Sequence, residues 1–381
     1  MIAAETLLDA FINANILFCV TFALWFLLRK VMGAFGIAHA HGAHLKLLNT
    51  IFVVVITAPI IAACFNGLQS AGVASEVNVN LSDLIVSHYL QGAFDMKASR
   101  LEGLILARDT FMINVMAGSG WLPRLIITMF AIGLCLGTFR LVLSGFCLRR
   151  IVLGSYKWRS LGRVDIRLSD TTMVPFSTRG FLRYHVVLPS HMLAQPAQLK
   201  VSLAHEFQHI RQGDLEWEIL LEGLKPFFYL NPAFHAWKRH VEELREFSCD
   251  SAVLSRGYID VHAYCDTLIS VCQKSLKCTQ PVNTAVPKVT LVAPGRSKGS
   301  DHRVSFVEHR ILTVLDMGKH VNQRVIFRAI AAPILICVVL VALSIQRPGD
   351  WSQDRLTLST VVNLERLAEI NRTAAFGHAG N

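Results

Sequence analysis

Four apolar runs constrain this chain more than anything else in it. They cover about Leu7 to Leu28, Leu47 to Phe65, Leu122 to Leu148 and Val325 to Ile345. A helix needs about 20 apolar residues to cross the hydrocarbon core of a bilayer. Lipid offers no partner to a backbone N–H or C=O, so such runs fold as helices that satisfy their own hydrogen bonds. The composition agrees: of 381 residues 52% are hydrophobic and only 17% charged, where a soluble domain carries roughly a quarter. The first run is not a removable signal peptide. No positive charge precedes it, and Arg29-Lys30 stands where a small-residue cleavage site would be.

Charge orients the runs. Lys and Arg collect on the cytoplasmic flanks of membrane spans. Arg29 and Lys30 follow the first run, Arg149 and Arg150 follow the third, and Lys319, Arg324 and Arg328 flank the start of the fourth. Residues 66–120 hold Lys97, Arg100 and Arg108 against Glu76, Asp83, Asp95, Glu102 and Asp109, whereas 149–324 are rich in Arg and Lys. The expectation is a multi-pass protein of the bacterial cytoplasmic (inner) membrane with both termini outside. Its segments are two transmembrane helices in 1–65, an extracytoplasmic loop over 66–121, a third span at 122–148, a cytosolic domain over 149–324, a fourth span at 325–345 and a short extracytoplasmic tail over 346–381. The net charge of +10 then belongs with the lipid bilayer, and direct nucleic-acid binding is not expected, since no helix-turn-helix or zinc-finger spacing accompanies it. None of the nine cysteines stands in CxxC spacing, which argues against a cysteine zinc site. His39, His41 and His44 read as a polar loop at the headgroups, with metal binding the lesser alternative.

Within 149–324 the pattern changes from strand to helix. Arg163 to Leu168 alternates as a half-buried strand, Tyr184 to Leu188 reads as a second, and Val174-Pro175 and Thr178-Arg179-Gly180 as turns. Pro196 opens a helix whose Leu199, Leu203, Phe207 and Ile210 share a face and which Gly213 stops. Asp214 is placed as the cap of a second helix, to about Tyr229. Asn231-Pro232 begins a third, to about Arg256, and a fourth spans about Tyr258 to Lys277. Residues 279–303 read as a loop.

The first of these helices carries His205-Glu206-Phe207-Gln208-His209. Residues four apart share a helix face, so both imidazoles can address one metal ion. Glu206 is turned by about 100 degrees, close to the ion but not bound. There its carboxylate can take a proton from a zinc-bound water, whose pKa zinc lowers to about 7. A catalytic zinc needs a third protein ligand. Glu246 on a downstream helix fits, and Asp250, one turn on, can orient a ligand histidine. By composition alone, Glu242 to Asp250 reads equally well as a charged, solvated face.

Three ordered segments resemble a known family. His205 to Asp214 is similar to the HExxHxxxxD of the BlaR/MecR-type membrane metallopeptidases, Leu230 to Trp237 to their FNPxxW, and Glu246 to Leu254 to their ExxCDxxVL. The resemblance implies an α-helical polytopic membrane protein with a cytosolic α+β gluzincin-like zinc metalloprotease domain. It implies Zn2+ held by His205, His209 and Glu246, with Glu206 as general base and Asp250 as partner of a ligand. It also implies a signal-transducing endopeptidase that cleaves a cytosolic protein such as a DNA-binding transcriptional repressor. The chain departs from those relatives after the last span, where 36 residues without SxxK stand in place of a penicillin-binding sensor. Sensing then falls to the 66–120 loop, the tail or a partner protein. Two other readings stand beside this one: quality-control proteolysis of HtpX-like logic, and a non-catalytic membrane transducer, against which the intact Glu206 argues.

Overall fold

The apolar runs form long helices. A computed structural model describes residues 2–34, 40–70, 81–93, 96–117, 120–277, 289–290, 300–315, 323–344 and 353–377. Helices α1 (Ile2–Ala34), α2 (His41–Ser70) and α5 (Trp121–Leu153) contain the stretches Ala10–Ala34, His41–Ile61 and Trp121–Leu153, each long and apolar enough to cross a membrane. Among the described residues a shorter apolar stretch, Ile330–Ser344, lies in α11 (Gln323–Ser344). The helices outrun the apolar runs at several ends, because helical hydrogen bonding continues where hydropathy falls. His41 and His44 belong to α2 and not to a solvated loop: His44 is buried, edge-on to Trp25 at 5.8 Å between ring centres, and His41 lies 5.0 Å from the Phe247 ring. His39 falls outside the described residues.

The chain separates into two compact units. One comprises Met1–Thr21, Thr50–Met129 and Ala331–Asn381. Within it α3 (Leu81–Leu90) and α4 (Ala98–Ala117) pack with α12 (Gln353–Gly377) around Val86, Ala98, Leu101, Leu358 and Val362. Helix α12 contributes Leu358 and Val362 to this core, with Val361 packed against it. Glu365 of α12 also accepts hydrogen bonds from the backbone N–H groups of Ala98 (3.1 Å) and Ser99 (3.2 Å). Those N–H groups open α4 and have no partner within their helix, and an anion is favoured there.

The other unit comprises Phe22–Asn49 and Phe130–Ile330. After α5 come strands β1 (Tyr156–Leu161), β2 (Val164–Ser169), β3 (Phe176–Arg179) and β4 (Tyr184–Pro189), then helices α6 (Pro196–Gln212), α7 (Asp214–Leu224), α8 (Pro232–Leu254) and α9 (Val261–Lys277). Strand β5 (Val289–Thr290) and helix α10 (Ser300–Leu315) lie beyond α9. The sheet order is β1-β2-β4-β3-β5, with β2 and β4 parallel from Val164↔Tyr184 to Ser169↔Pro189 and the other pairs antiparallel. Sequence patterning finds β2 and β4, whose buried residues alternate or run together. It misses β1, exposed along its whole length, and β3, where Ser177 and Thr178 are small, polar and buried. Of the loop expected at 279–303, residues 289–290 form β5 and 300–303 begin α10, while the remainder lies outside the described residues.

Helix α5 is joined to this unit through small residues. A Cβ at Gly137 would stand 3.1 Å from Cβ and 3.2 Å from Cα of Pro226, and one at Gly133 would overlap the Tyr229 ring. Close approach across a small-xxx-small step is a common way for apolar helices to pack. Beyond it, Leu148 and Val152 of α5 pack on Phe176 and Val187 of the sheet, and Arg167 donates to the Ser155 carbonyl at 2.8 Å. Gly137→Leu is expected to destabilise the detergent-solubilised protein by about 1–3 kcal/mol through overpacking, since neither a proline ring nor backbone can turn aside. Gly145→Leu, with open space around its Cβ, is expected to be neutral or better. Thermal unfolding of the two variants checks this, and equal melting temperatures would contradict the packing.

Candidate metal centre

Helix α6 is buried on both sides. Its face of Leu199, Leu203, Phe207 and Ile210 packs on Val164, Ile166, Val186 and Leu188 of β2 and β4. The opposite side meets α8, α9 and α10 around Val201, Cys249, Val253, Tyr264, Leu268 and Val307. Gly213 ends the helix at φ +73°, a left-handed conformation that glycine adopts without strain. Helix α8 starts at Asn231, whose side chain accepts from the N–H of Ala233 (3.0 Å) and Phe234 (3.3 Å). These two helices place His205, Glu206 and His209 opposite Glu246, Cys249 and Asp250, all buried.

The hydrogen bonds fix both imidazole tautomers. His209 Nδ1 lies 2.7 Å from Asp214 Oδ2. A carboxylate accepts, so Nδ1 carries a proton, and in the neutral ring Nε2 holds the lone pair. The Tyr264 hydroxyl donates to Asp250, which leaves its oxygen to accept from His205 Nδ1 at 2.8 Å. His205 Nε2 therefore also presents a lone pair. The two Nε2 atoms face each other at 3.0 Å. Burial drives the His205 pKa down to about 3, opposed by the Asp250 charge, so the ring stays neutral. Two lone pairs turned on one another in a buried site repel unless a cation joins them.

Other donors converge there. Glu246 Oε2 is 3.4 Å from His205 Nε2, and Glu246 Oε1 is 3.7 Å from His209 Nε2. Oε2 is buried with no hydrogen-bond donor aligned on it, although Arg310 Nη1 stands 3.2 Å away. Cys249 also belongs to the cluster: His205, His209 and Cys249 can bring ligand atoms within 4.8 Å of one another. Its Sγ, however, sits 3.5 Å from His205 Nδ1 and 3.5 Å from the His205 carbonyl, at the edge of the ring away from the Nε2 pair. Both sets are of the chemistry that binds transition metals. The residues present fit a metal ion.

Glu206 has neither carboxylate oxygen on an aligned donor. Burial pushes its pKa up to about 8 against the pull of Ser177 on β3, and the charge of Glu246 adds to the rise. Asp250 behaves oppositely. Burial alone would raise its pKa, yet the guanidinium of Arg310 holds it below the usual carboxylate value.

All five residues singled out from sequence, His205, Glu206, His209, Glu246 and Asp250, come together. The expected contact of Asp250 with a ligand histidine runs through Tyr264, with Asp250 Oδ1 itself 3.5 Å from His205 Nδ1. Asp214, expected as a helix cap, instead holds His209. The turn at Gly213 brings the carboxylate back over the last turn of α6, and α7 starts with no side-chain cap. Tyr264, Arg310 and Ser177 are the residues that sequence reasoning missed. They lie 59, 105 and 28 positions from His205, and no local spacing marks them. Arg245 donates to Glu218 at 2.8 Å, and His235 Nε2 lies 2.8 Å from the Tyr229 carbonyl.

The family model described as BlaR1 peptidase M56 matches residues 5–290, most of the chain. Comparison with curated proteins gives no match.

The purified protein is expected to hold a stoichiometric metal ion that His205→Ala and His209→Ala each abolish. Asp214→Asn is expected to weaken binding about 10–100-fold by loosening the His209 tautomer. Elemental analysis and competition with a chelator measure both. Unchanged metal content in either alanine variant would contradict the site.

Proposed function

We propose that this chain, which belongs to the BlaR1 peptidase M56 family, is a zinc endopeptidase of the cytoplasmic membrane whose gluzincin-like site faces the cytosol. The observation that carries this reading is the pair of inward-turned Nε2 lone pairs, 3.0 Å apart, beside the undonated oxygen of Glu246 in an HExxH helix. In this reading His205, His209 and Glu246 hold the ion. Cys249 does not: its sulfur lies 3.5 Å from His205 Nδ1, at the edge of the ring away from the Nε2 pair. Zinc held there would supply a Lewis acid that polarises a peptide carbonyl and makes water acidic near neutral pH.

The rest of the chemistry belongs to the chain's own groups. Glu206 takes the proton from the attacking water and delivers it to the departing amine. Its pKa of about 8 falls when a cation stands nearby, which brings the carboxylate towards the operating pH. Asp214 and Tyr264 hold the two imidazoles in the tautomers that leave Nε2 unprotonated. The sheet and the helical core on either side of α6 exclude bulk water from Glu206, so each of these electrostatic effects acts at low dielectric.

The substrate in this reading is a cytosolic protein such as a DNA-binding repressor, and cleavage answers a signal received outside. The basic 149–324 segment supports the cytosolic placement. The packing of α12 with α3 and α4 supports a joint sensor built from loop and tail.

Glu206→Gln is expected to keep its metal and lose about 10²–10⁴-fold or more in turnover. A comparison of the proteomes of wild-type and Glu206→Gln strains identifies the substrate as the protein cut only in the former. Wild-type turnover in the variant would end the assignment of the base. Reporter fusions at Gly299 and Asn381 are expected to give opposite compartment signals, and equal signals would refute the orientation.

A further inference from the structure

Arg310 lies 60 residues beyond Asp250 in the chain, on the last helix before α11, and is fully buried. A buried guanidinium is costly unless its nitrogens find acceptors. Those of Arg310 find two carboxylates. Nε donates to Asp250 Oδ2 at 2.8 Å and Nη2 to Asp250 Oδ1 at 2.6 Å, a two-pronged fork, while Nη1 stands 3.2 Å from Glu246 Oε2. Glu246 and Asp250 are one turn apart on α8, so a single planar group can bridge them. Lysine, a point charge on a flexible stem, cannot.

The helix that carries Arg310 is itself held in place. Val307 and Val314, one turn to either side, lie in the core with Val271, Leu268 and Val253. The Phe306 ring packs on Phe247 at 5.9 Å between centres, and His309 meets the same ring edge-on at 5.1 Å. The helix from which the Arg310 side chain reaches is therefore fixed by packing of its own.

We propose that Arg310 is a positioning residue of the metal centre. Its fork holds Asp250, and its third nitrogen sets a positive charge beside Glu246 Oε2, which keeps the Glu246 carboxylate aimed at the His205–His209 pair and makes α10 an integral part of the peptidase site. The inference rests on the reading of Glu246 as third ligand. Arg310 touches no reacting atom in it. With the guanidinium gone, two buried carboxylates one turn apart lose the cation between them, and Glu246 is free to leave its aim.

The test uses the full chain in detergent, loaded with zinc or with cobalt as a spectroscopic probe. Arg310→Gln is expected to release zinc to a chelator at least tenfold faster than wild type, as loss of a residue that orients a ligand does, and to shift the visible band of the cobalt form. Arg310→Lys restores the charge without the fork and is expected to fall between them. If Arg310→Gln does not fold, Arg310→Lys decides by the same two readouts. Wild-type release and spectrum in whichever of these folds would overturn the proposal. Glu246→Gln is the separate control: it is expected to lose the metal outright. Full retention there would show that the ligand assignment fails, whatever Arg310 does.

Discussion

Two buried imidazoles face each other through their Nε2 atoms, 3.0 Å apart, and much of the surrounding structure serves to keep them there. Each ring is held from behind, His209 by Asp214 and His205 by Tyr264. Tyr264 is in turn fixed by Asp250, and Asp250 by Arg310. Five helices, α6 to α10, thus contribute to the orientation of two nitrogens. The arrangement makes sense only around a positive charge. Every group behind the rings is itself satisfied, while the Glu246 oxygen nearest the pair and both oxygens of Glu206 lack an aligned donor.

Burial is what gives this cluster its reactivity, and α6 achieves it by being apolar on one face and functional on the other. Leu199, Leu203, Phe207 and Ile210 lie against the sheet, so the turn between them presents its polar side chains to the helical core. In that environment the pKa values of His205 and Glu206 move in opposite directions, down to about 3 and up to about 8. Histidines ready to donate a lone pair and a carboxylate ready to carry a proton both follow from one cause. A second buried network, Glu218 between Lys238 and Arg245 at 2.8 Å each, links α7 to α8.

The sequence makes the site legible where the chemistry is local. The i, i+4 histidines, the apolar face of α6, the Gly213 stop and the Asn231-Pro232 start all act over a few residues and appear as expected. Glu246 is visible because α8 is long and well capped. Interactions that close only in three dimensions are not visible in this way. Tyr264 and Arg310 reach the cluster from helices whose own sequences show nothing beyond amphipathic patterning. Asp214 was legible in position but not in role: a residue after a helix-ending glycine can cap the next helix or fold back on the last, and only the backbone turn decides. Strand β3 escapes because its buried residues Ser177, beside Glu206, and Thr178 are polar, so hydrophobic alternation does not describe them. In the other unit the Glu365 cap on α4 joins segments far apart in the sequence, and no local spacing announces it.

The central claim is that two nitrogens and a carboxylate oxygen hold zinc, with Cys249 behind the ring and outside the coordination shell. X-ray absorption at the zinc edge on the purified full-length protein tests it directly, since zinc–sulfur bonds of about 2.3 Å separate cleanly from zinc–nitrogen and zinc–oxygen bonds of about 2.0–2.2 Å. The account predicts a single shell of nitrogen and oxygen, with two imidazole scattering patterns and no sulfur, unchanged in Cys249→Ala. A sulfur shell near 2.3 Å that disappears in Cys249→Ala would contradict it.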